Sequence, residues 1–279
     1  APAGLGAQTD TRLEGLKDEA LRMVEEDAKM VQEIVDMLFS FGELGFQEFE
    51  TQRYLTGILE DHGFEIELGV AGMPSAWTAR WSNGSGSPVI ALGSDVDGIP
   101  QSNQKPGVAY RDPILSMAPG HGEGHNSGQA VNIVAALNVK ELMEREDIDG
   151  TLMIWPGIAE EQLGSKAFFV RDGVFDDVDV NLFTHVSSNF SVTWGHTSGN
   201  ALVSAQFRFT GETAHSAGSP WRGKSALDAI MLLAQAWEYK REHLRPPQRS
   251  HYIIVEGGDQ PNVVPQTATI WFYFREVDY

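Results

Sequence analysis

Cysteine is absent from this 279-residue sequence, which excludes disulfide bonds, thiolate zinc sites and cysteine nucleophiles. Basic residues are scarce, because 20 Lys and Arg stand against 39 Asp and Glu and give a net charge of −19. A nucleic-acid partner is therefore not expected, since phosphate binding needs a basic surface. No apolar run approaches the roughly 18 residues of a membrane-spanning helix, so no membrane association is expected either.

Apolar residues make up 42% of the chain, which is enough to build a sizeable core and argues against disorder. At about 150 residues per domain, the length suggests two domains or one large one.

The first eight residues, Ala-Pro-Ala-Gly-Leu-Gly-Ala-Gln, are mostly small and do not begin with Met. Two interpretations remain open: the mature end of an exported protein, or a chain shortened at its start. The composition slightly favours a periplasmic or otherwise exported location over a cytoplasmic one.

Over residues 1–194, short apolar runs alternate with longer segments that have the periodicity of helices. In three of the runs the apolar residues are consecutive, as in strands buried on both faces. Predicted helices cover 12–41, 51–62, 126–146 and 165–171, and predicted strands cover 64–68, 75–81, 88–93, 151–155 and 180–183. This alternation predicts an α/β domain with a mostly parallel central sheet, in which 88–93, 151–155 and 180–183 are buried.

The pattern changes near Gly195, where strands with one polar face begin. Strands are predicted at 202–209, 252–255 and 268–274, with a long amphipathic helix at 225–244. Residues 195–279 therefore form a smaller predicted α+β domain with a one-sided sheet.

Acidic and histidine side chains follow each of the three buried strands and also precede the helix at 126–146. They are Asp95, Asp97, Glu123, His125, Glu160, Glu161 and His185. Because ligands of open α/β sheets bind beyond the carboxyl ends of the strands, we expect these side chains to meet at one edge. Carboxylate and imidazole are ligands for Zn²⁺, Mn²⁺ or Co²⁺, so the sequence predicts a divalent metal site there.

Two pairs give this site a division of roles. Glu123 and His125 are two residues apart, so in an extended segment both side chains point the same way and can reach one metal centre. Glu160 and Glu161 are adjacent and point differently, so one carboxylate can bind metal while the other faces a water. Metal-activated hydrolysis needs such a separation between Lewis acid and general base.

Each of these residues also has a structural interpretation. An isolated Glu-Glu pair is usually solvated surface, and Asp95 and Asp97 fit turn residues that cap a loop. His121 or His125 fits a hydrogen-bonding group at a helix start, and His185 fits a core histidine. Their coincidence at one sheet edge favours the metal site, and a Rossmann-type nucleotide binder is disfavoured because no Gly-x-Gly-x-x-Gly follows a strand.

Seven motifs then carry a family resemblance that covers residues 42–275. They are GELGFQE at 42–48, GVAG at 69–72, GHGEGHN at 120–126, AEE at 159–161, GETAHS at 211–216, GKSALDA at 223–229 and GGDQPNVVP at 257–265. In order and spacing the chain resembles the M20 metallopeptidase family, specifically its amidohydrolase branch of aminoacylase and aminobenzoyl-glutamate hydrolase type.

The resemblance implies two divalent metal ions, zinc or manganese, with cobalt or nickel as alternatives. The implied metal ligands are Glu123, His125, Glu161 and His185, with Glu123 standing where the branch usually has a bridging cysteine. Glu160 matches the general base, and Asp97 matches the acid that orients the site. We interpret Glu123 as a harder ligand that still supports catalysis.

The resemblance also implies that residues 195–279 form a lid and dimerisation domain of a homodimer. His215 matches a histidine that reaches the partner subunit's active site and stabilises the tetrahedral intermediate. Asn262 and Arg275 match residues that meet the substrate, and an Arg suits a carboxylate through its bidentate fork. His243 and His251 are expected to be structural.

The resemblance predicts a metal-dependent hydrolase that cleaves the amide bond of an N-acyl amino acid or dipeptide-like small molecule, with an aromatic acyl group preferred. The alternative is a non-catalytic metal- or ligand-binding protein on the same fold. The family supplies one more histidine ligand downstream of the last residue, Tyr279. We therefore expect residues 1–279 alone to hold the second metal weakly, or to lack a complete site.

Overall fold

The computed structural model describes residues 11–195 and 199–277. The chain divides into two compact units, residues 1–190 and residues 191–279. The sequence placed its boundary between residues 194 and 195, and the catalytic and lid roles of the two parts stay predictions. Among the described residues, no helix combines the length and apolar character needed to cross a membrane.

A five-stranded sheet forms the centre of the first unit, in the order β1-β2-β4-β3-β5. The strands are β1 (Glu65–Leu68), β2 (Trp77–Asn83), β3 (Val89–Asp95), β4 (Gly150–Gly157) and β5 (Val180–Phe183). Strand β4 pairs in parallel with β3, and β3 in parallel with β5, whereas β2 is antiparallel to both β4 and β1. Four of the five strands therefore run in one direction, and the mostly parallel α/β sheet predicted from the sequence is confirmed.

Within residues 11–190, five α-helices accompany this sheet; the third and fourth contact its strands, and the first two contact the fourth helix. The five helices are α1 (Thr11–Glu26), α2 (Ala28–Phe41), α3 (Phe49–Asp61), α4 (Gly128–Glu146) and α5 (Lys166–Arg171). All eight residues of β4 are buried, as expected for a central strand with a continuous apolar sequence. Fully buried side chains such as Trp77, Leu38, Ile133 and Ile154 make this core, each stabilising the fold by about 1.5–3 kcal/mol.

Two predicted features of the first unit are wrong. Strand β5 was expected to be buried, but all four of its residues are exposed. Its apolar sequence does not reveal that it pairs only with β3 among the described strands and forms the edge of the sheet. The single helix predicted over 12–41 is two helices that meet at Asp27 (φ −87°, ψ 7°); α2 buries Ile34 and Leu38, whereas α1 buries no residue.

The second unit is a three-stranded antiparallel sheet covered by one helix. Strands β6 (Ala201–Thr210), β7 (Arg249–Glu256) and β8 (Thr267–Glu276) lie in the order β6-β8-β7, with helix α6 (Ala226–Arg241) between β6 and β7 in the chain. Helix α6 begins at Ser225, whose hydroxyl accepts a hydrogen bond from the backbone N–H of Asp228 (3.2 Å). Ile230 of α6 and alternate residues of β8, including Ile270 and Phe272, form a second core, so the sheet is one-sided as predicted.

Candidate metal centre

The parallel strands bring their carboxyl ends, and the side chains that follow them, to one edge of the sheet. Two groups of potential ligands lie there, each with its ligand atoms within 4.8 Å of one another. The first group is Asp95, His125 and His185, and the second is Glu123, His125 and Glu161. His125 belongs to both groups, so all four side chains predicted as metal ligands meet around one histidine.

The two histidines face each other through their Nε2 atoms, which are 3.2 Å apart. Nδ1 of His125 lies 3.0 Å from the carbonyl oxygen of Asp97, and Nδ1 of His185 lies 2.8 Å from that of Val186. A carbonyl only accepts, so both Nδ1 atoms carry protons and donate. Both Nε2 atoms therefore direct lone pairs at the same point, where only a proton or a metal cation relieves their repulsion.

The spacing of these nitrogens also suits a metal. Two imidazoles on one tetrahedral Zn²⁺, each bonded at about 2.0–2.1 Å, have nitrogens roughly 3.3 Å apart. The hydrogen bonds from Nδ1 are those that usually fix the tautomer and ring orientation of a ligating histidine.

The charge of His125 is set by its acidic neighbours. The ring is buried, and burial disfavours the imidazolium, but the Asp97 carboxylate at 3.3 Å and the nearby Asp95 outweigh this effect. They raise the pKa of His125 to about 9. In the metal-free protein a proton therefore occupies the position between the two Nε2 atoms at neutral pH.

The loop after β4 presents the Glu160–Glu161 pair. Asp97 accepts a hydrogen bond on Oδ2 from the backbone N–H of Glu161 (3.0 Å), which ties this loop to the end of β3. Burial, followed by the negative charges of Glu123 and Glu160, raises the pKa of Glu161 to about 7. Its Oε1 is buried without a hydrogen-bond partner, which is costly unless a cation satisfies it.

Glu160 occupies a different position from its neighbour. It is half-buried and belongs to neither group of potential ligands, although its pKa is raised by burial and by the charge of Asp95. A carboxylate with a raised pKa beside a metal site, yet outside it, is suited to accept a proton from a water.

The segment that carries Glu123 and His125 is a turn, so the predicted extended geometry is wrong. The two side chains nevertheless converge because Gly124 between them has φ +75°. A Cβ atom at Gly124 would lie 2.9 Å from the side chain of Val186, so glycine fits both the turn and the close packing.

Asp95 and Lys166 form an ion pair that the sequence did not predict. The Asp95 carboxylate is 1% exposed and lies 2.7 Å from Nζ of Lys166, which also sits 4.5 Å from the centre of the Phe183 ring. Burial raises the pKa of Asp95, and Lys166 opposes that rise. In the sequence, the position of Asp95 at the end of a strand indicated a possible role at the site. No sequence feature distinguished Lys166 from a surface lysine.

The histidines at positions 121, 243 and 251 lie outside both ligand groups. His121 is buried and its Nε2 donates to the carbonyl oxygen of Leu38 (2.9 Å), in line with the predicted hydrogen-bonding alternative. His243 lies 3.1 Å from a carboxylate oxygen of Glu242, and His251 is exposed on β7.

The second unit brings together two of its three predicted site residues. The backbone N–H of Ser216, next to His215, donates to the carbonyl oxygen of Asn262 (3.0 Å). Nδ1 of His215 accepts from the backbone N–H groups of Ala217 (3.2 Å) and Gly218 (3.1 Å). Its Nε2 therefore carries the proton on an exposed ring.

Arg275 lies elsewhere in the second unit. It is near the end of β8, roughly 26 Å along the strand from Thr267, the first residue of β8. Asn262 lies five residues before Thr267 in the chain. The structure therefore does not bring Arg275 to His215 and Asn262, and its role stays a prediction.

Fold and site together define a two-unit α/β protein with a candidate divalent-metal centre at the carboxyl ends of parallel strands. Residues 198–279 match the peptidase dimerisation domain of the M20 family. The chain is 35% identical over 253 residues to one of the polypeptides of the p-aminobenzoyl-glutamate hydrolase of Escherichia coli, a match that covers 90% of the chain and 52% of that polypeptide. It is 27% identical to the Xaa-Arg dipeptidase of Mus musculus, covering 98% of the chain and 61% of the dipeptidase.

Solved structures share the fold. An aminobenzoyl-glutamate utilization protein from Klebsiella pneumoniae has a TM-score of 0.59 at 21% identity, with 93% of this chain and 69% of that one covered. A dinuclear metal binding peptidase of the M20 family from Bacillus subtilis has a TM-score of 0.55 at 19% identity, with 90% and 66% covered. Over these ranges the chain is similar to M20 hydrolases, and it spans about half to three fifths of the length of the curated relatives described above.

Proposed function

We propose that this protein is a metal-dependent hydrolase that cleaves the amide bond of N-acyl amino acids. The observation that carries the proposal is the convergence of two Nε2 lone pairs, from His125 and His185, beside two carboxylates. Glu160 lies next to this arrangement without belonging to it, which leaves one carboxylate free for proton transfer.

The proposed metal ligands are Glu123, His125, Glu161 and His185, holding two divalent ions of zinc or manganese. The lone pairs of the histidines and the unpartnered Oε1 of Glu161 fit such ions. When bound, divalent metal supplies Lewis-acid activation of the attacking water and of the amide carbonyl. Asp97 orients the site through its hydrogen bonds with His125 and with the backbone of Glu161.

Glu160 is the proposed general base. Its carboxylate takes a proton from the water that attacks the amide carbonyl. It then delivers that proton to the leaving amine as the C–N bond breaks, which returns Glu160 to its starting state. The raised pKa of Glu160 suits both steps, because it makes the carboxylate a better proton acceptor and the carboxylic acid available at a higher pH.

The second unit is proposed to act as the lid and dimerisation domain of a homodimer. The proton on Nε2 of His215 makes this ring a hydrogen-bond donor, as oxyanion stabilisation requires. Asn262 and Arg275 are the proposed substrate contacts, with the guanidinium of Arg275 binding the substrate carboxylate.

An N-acyl amino acid with an aromatic acyl group is the proposed substrate. The names of three relatives support an amide to an amino acid: p-aminobenzoyl-glutamate hydrolase, Xaa-Arg dipeptidase and, at 24% identity, indole-3-acetyl-aspartic acid hydrolase of Enterobacter agglomerans. Each acts, by its name, on a compound with an amide to an amino acid. The first and third of these names contain an aromatic acyl group.

A substrate panel tests the proposal. The protein expressed from its whole reading frame is stripped with a chelator, reloaded with Zn²⁺ or Mn²⁺, and assayed for amine release from p-aminobenzoyl-glutamate, indole-3-acetyl-aspartate and N-acetyl amino acids. We expect turnover of an aromatic acyl substrate only after metal is restored. Tight metal binding without turnover of any member would instead support a non-catalytic binding protein.

A further inference from the structure

The connection between α2 and α3, residues 42–48, contacts three of the loops that build the candidate metal centre. The carbonyl oxygen of Glu43 accepts from the backbone N–H of Gly98 (2.7 Å), beside Asp97. A Cβ atom at Gly42 would lie 3.1 Å from the carbonyl oxygen of Pro119, at the start of the segment that carries Glu123 and His125. The third contact, from Glu48 to the loop of Glu160, is made by a buried charged side chain.

Glu48 is 1% exposed, and each of its carboxylate oxygens has one hydrogen-bond donor. Oε2 accepts from the hydroxyl of Ser75 (2.7 Å), and Oε1 accepts from the backbone N–H of Ala159 (2.7 Å). A carboxylate is costly to bury, and a charged acceptor makes the stronger kind of hydrogen bond. Its position next to Ala159 therefore calls for a role beyond packing.

Ala159 needs such support because its backbone is in the left-handed region, with φ +49° and ψ 37°. Non-glycine residues occupy this region sparsely. Two glycines pack against Ala159, since a Cβ atom at Gly45 would lie 2.8 Å from its Cα and one at Gly164 would lie 2.8 Å from its Cβ. Its carbonyl oxygen also accepts from the backbone N–H of Gly164 (2.7 Å), so the residue is held from both sides.

The direction of the chain at Ala159 decides where the next two side chains point, and those are Glu160 and Glu161. We propose that Glu48 is a positioning residue: its Oε1 fixes the left-handed turn at Ala159 and thereby aims the Glu160 carboxylate. This inference rests on the proposed function for its effect on turnover. The hydrogen bond itself predicts a change in backbone protection that does not depend on any substrate.

Four variants separate positioning from general stability. Glu48→Met removes both acceptors while keeping an unbranched side chain, and Glu48→Gln keeps Oε1 as an acceptor for Ala159. Ser75→Ala is the matched control, because it removes the partner of the other carboxylate oxygen and leaves the bond to Ala159. Gly45→Ala places a Cβ atom 2.8 Å from Cα of Ala159 without changing Glu48.

The readouts are kcat, KM and amide hydrogen exchange of the peptide covering residues 158–163. We expect Glu48→Met to lower kcat by about 10- to 100-fold with KM within about twofold, as for a misaimed catalytic group. Exchange at 159–161 should become faster in Glu48→Met while exchange in β4 stays unchanged. Glu48→Gln and Ser75→Ala should keep kcat within about threefold of the parent, and Gly45→Ala should reproduce the loss in kcat.

Wild-type exchange protection at 159–161 in Glu48→Met would overturn the proposal, and so would a loss of kcat no larger than that of Ser75→Ala. If Glu48→Met does not fold, full kcat and full protection in Gly45→Ala overturn it instead. If the parent protein turns over none of the substrates, the proposed function fails, while the exchange measurements still decide whether Glu48 holds Ala159.

Discussion

Metal binding to the metal-free protein should release protons in a number that follows from the raised pKa values of two proposed ligands, His125 and Glu161. A metal ligand must be deprotonated, so His125 has to lose the proton between the two Nε2 atoms and Glu161 has to become a carboxylate. The acidic neighbours raise the pKa of His125 to about 9, and burial raises that of Glu161 to about 7. Both groups therefore hold protons at the pH values at which binding is measured.

The expected release follows from these two pKa values. At pH 7, His125 holds about 1 proton and Glu161 about 0.5, so saturating the site with metal should displace about 1.5 protons. The number should rise to about 1.9 at pH 6 and fall to about 1 at pH 8, and the apparent affinity should strengthen as the pH rises. With ordinary pKa values the same two groups would release only about 0.25 proton at pH 7.

Calorimetric titration with Zn²⁺ or Mn²⁺ in buffers of different ionisation enthalpy measures the number directly. Glu161→Gln serves as the control, because it should remove about 0.5 proton from the release at pH 7 while leaving the contribution of His125. A release near 0.25 proton at pH 7 in the parent protein would refute the reasoning, since it would mean that no proton occupies the position between the histidines.

Three further predictions follow from the same residues. Glu160→Gln should keep the fold and the metal content, measured by elemental analysis, while kcat falls by about 10²- to 10⁴-fold; near-normal kcat would exclude it as the base. Glu123→Cys should shift preference toward Zn²⁺ over Mn²⁺ in competition binding, because thiolate is the softer ligand, and an unchanged preference would mean that Glu123 is not a ligand. The metal-free protein should lose stability as pH rises from about 6.5 through 9, because the raised pKa of His125 makes the folded state bind more protons than the unfolded state. The loss from His125 should reach up to about 3 kcal/mol. A melting temperature that increases over this pH range would contradict the assignment.

A general rule of folds was enough to predict that the acidic and histidine side chains meet at one edge of the sheet. Parallel strands end at one edge, so Asp97, Glu161 and His185 could be brought together without knowing any distance. The same reasoning did not predict that β5 is exposed, because an apolar run looks alike at the centre and at the edge of a sheet.

Contacts between distant parts of the chain were beyond sequence reasoning. Glu48 and Ala159 are 111 positions apart, and no local pattern links a buried acid after one helix to a turn after another strand. Lys166 lies 71 positions from Asp95 and is identifiable only from the folded geometry. A turn with positive φ at Gly124 stands where an extended segment was expected, and a Cβ atom there would meet Val186, a neighbour that is distant in sequence.

The central claim is that His125 and His185 hold one metal ion through their Nε2 atoms. A crystal structure of the protein grown with Zn²⁺ or Mn²⁺, with anomalous data collected at the metal edge, tests it most directly. We predict an anomalous peak between the two rings, about 2.0–2.1 Å from both Nε2 atoms for zinc. A metal-saturated crystal with no peak between these rings, or with the metal bound elsewhere, would contradict the account.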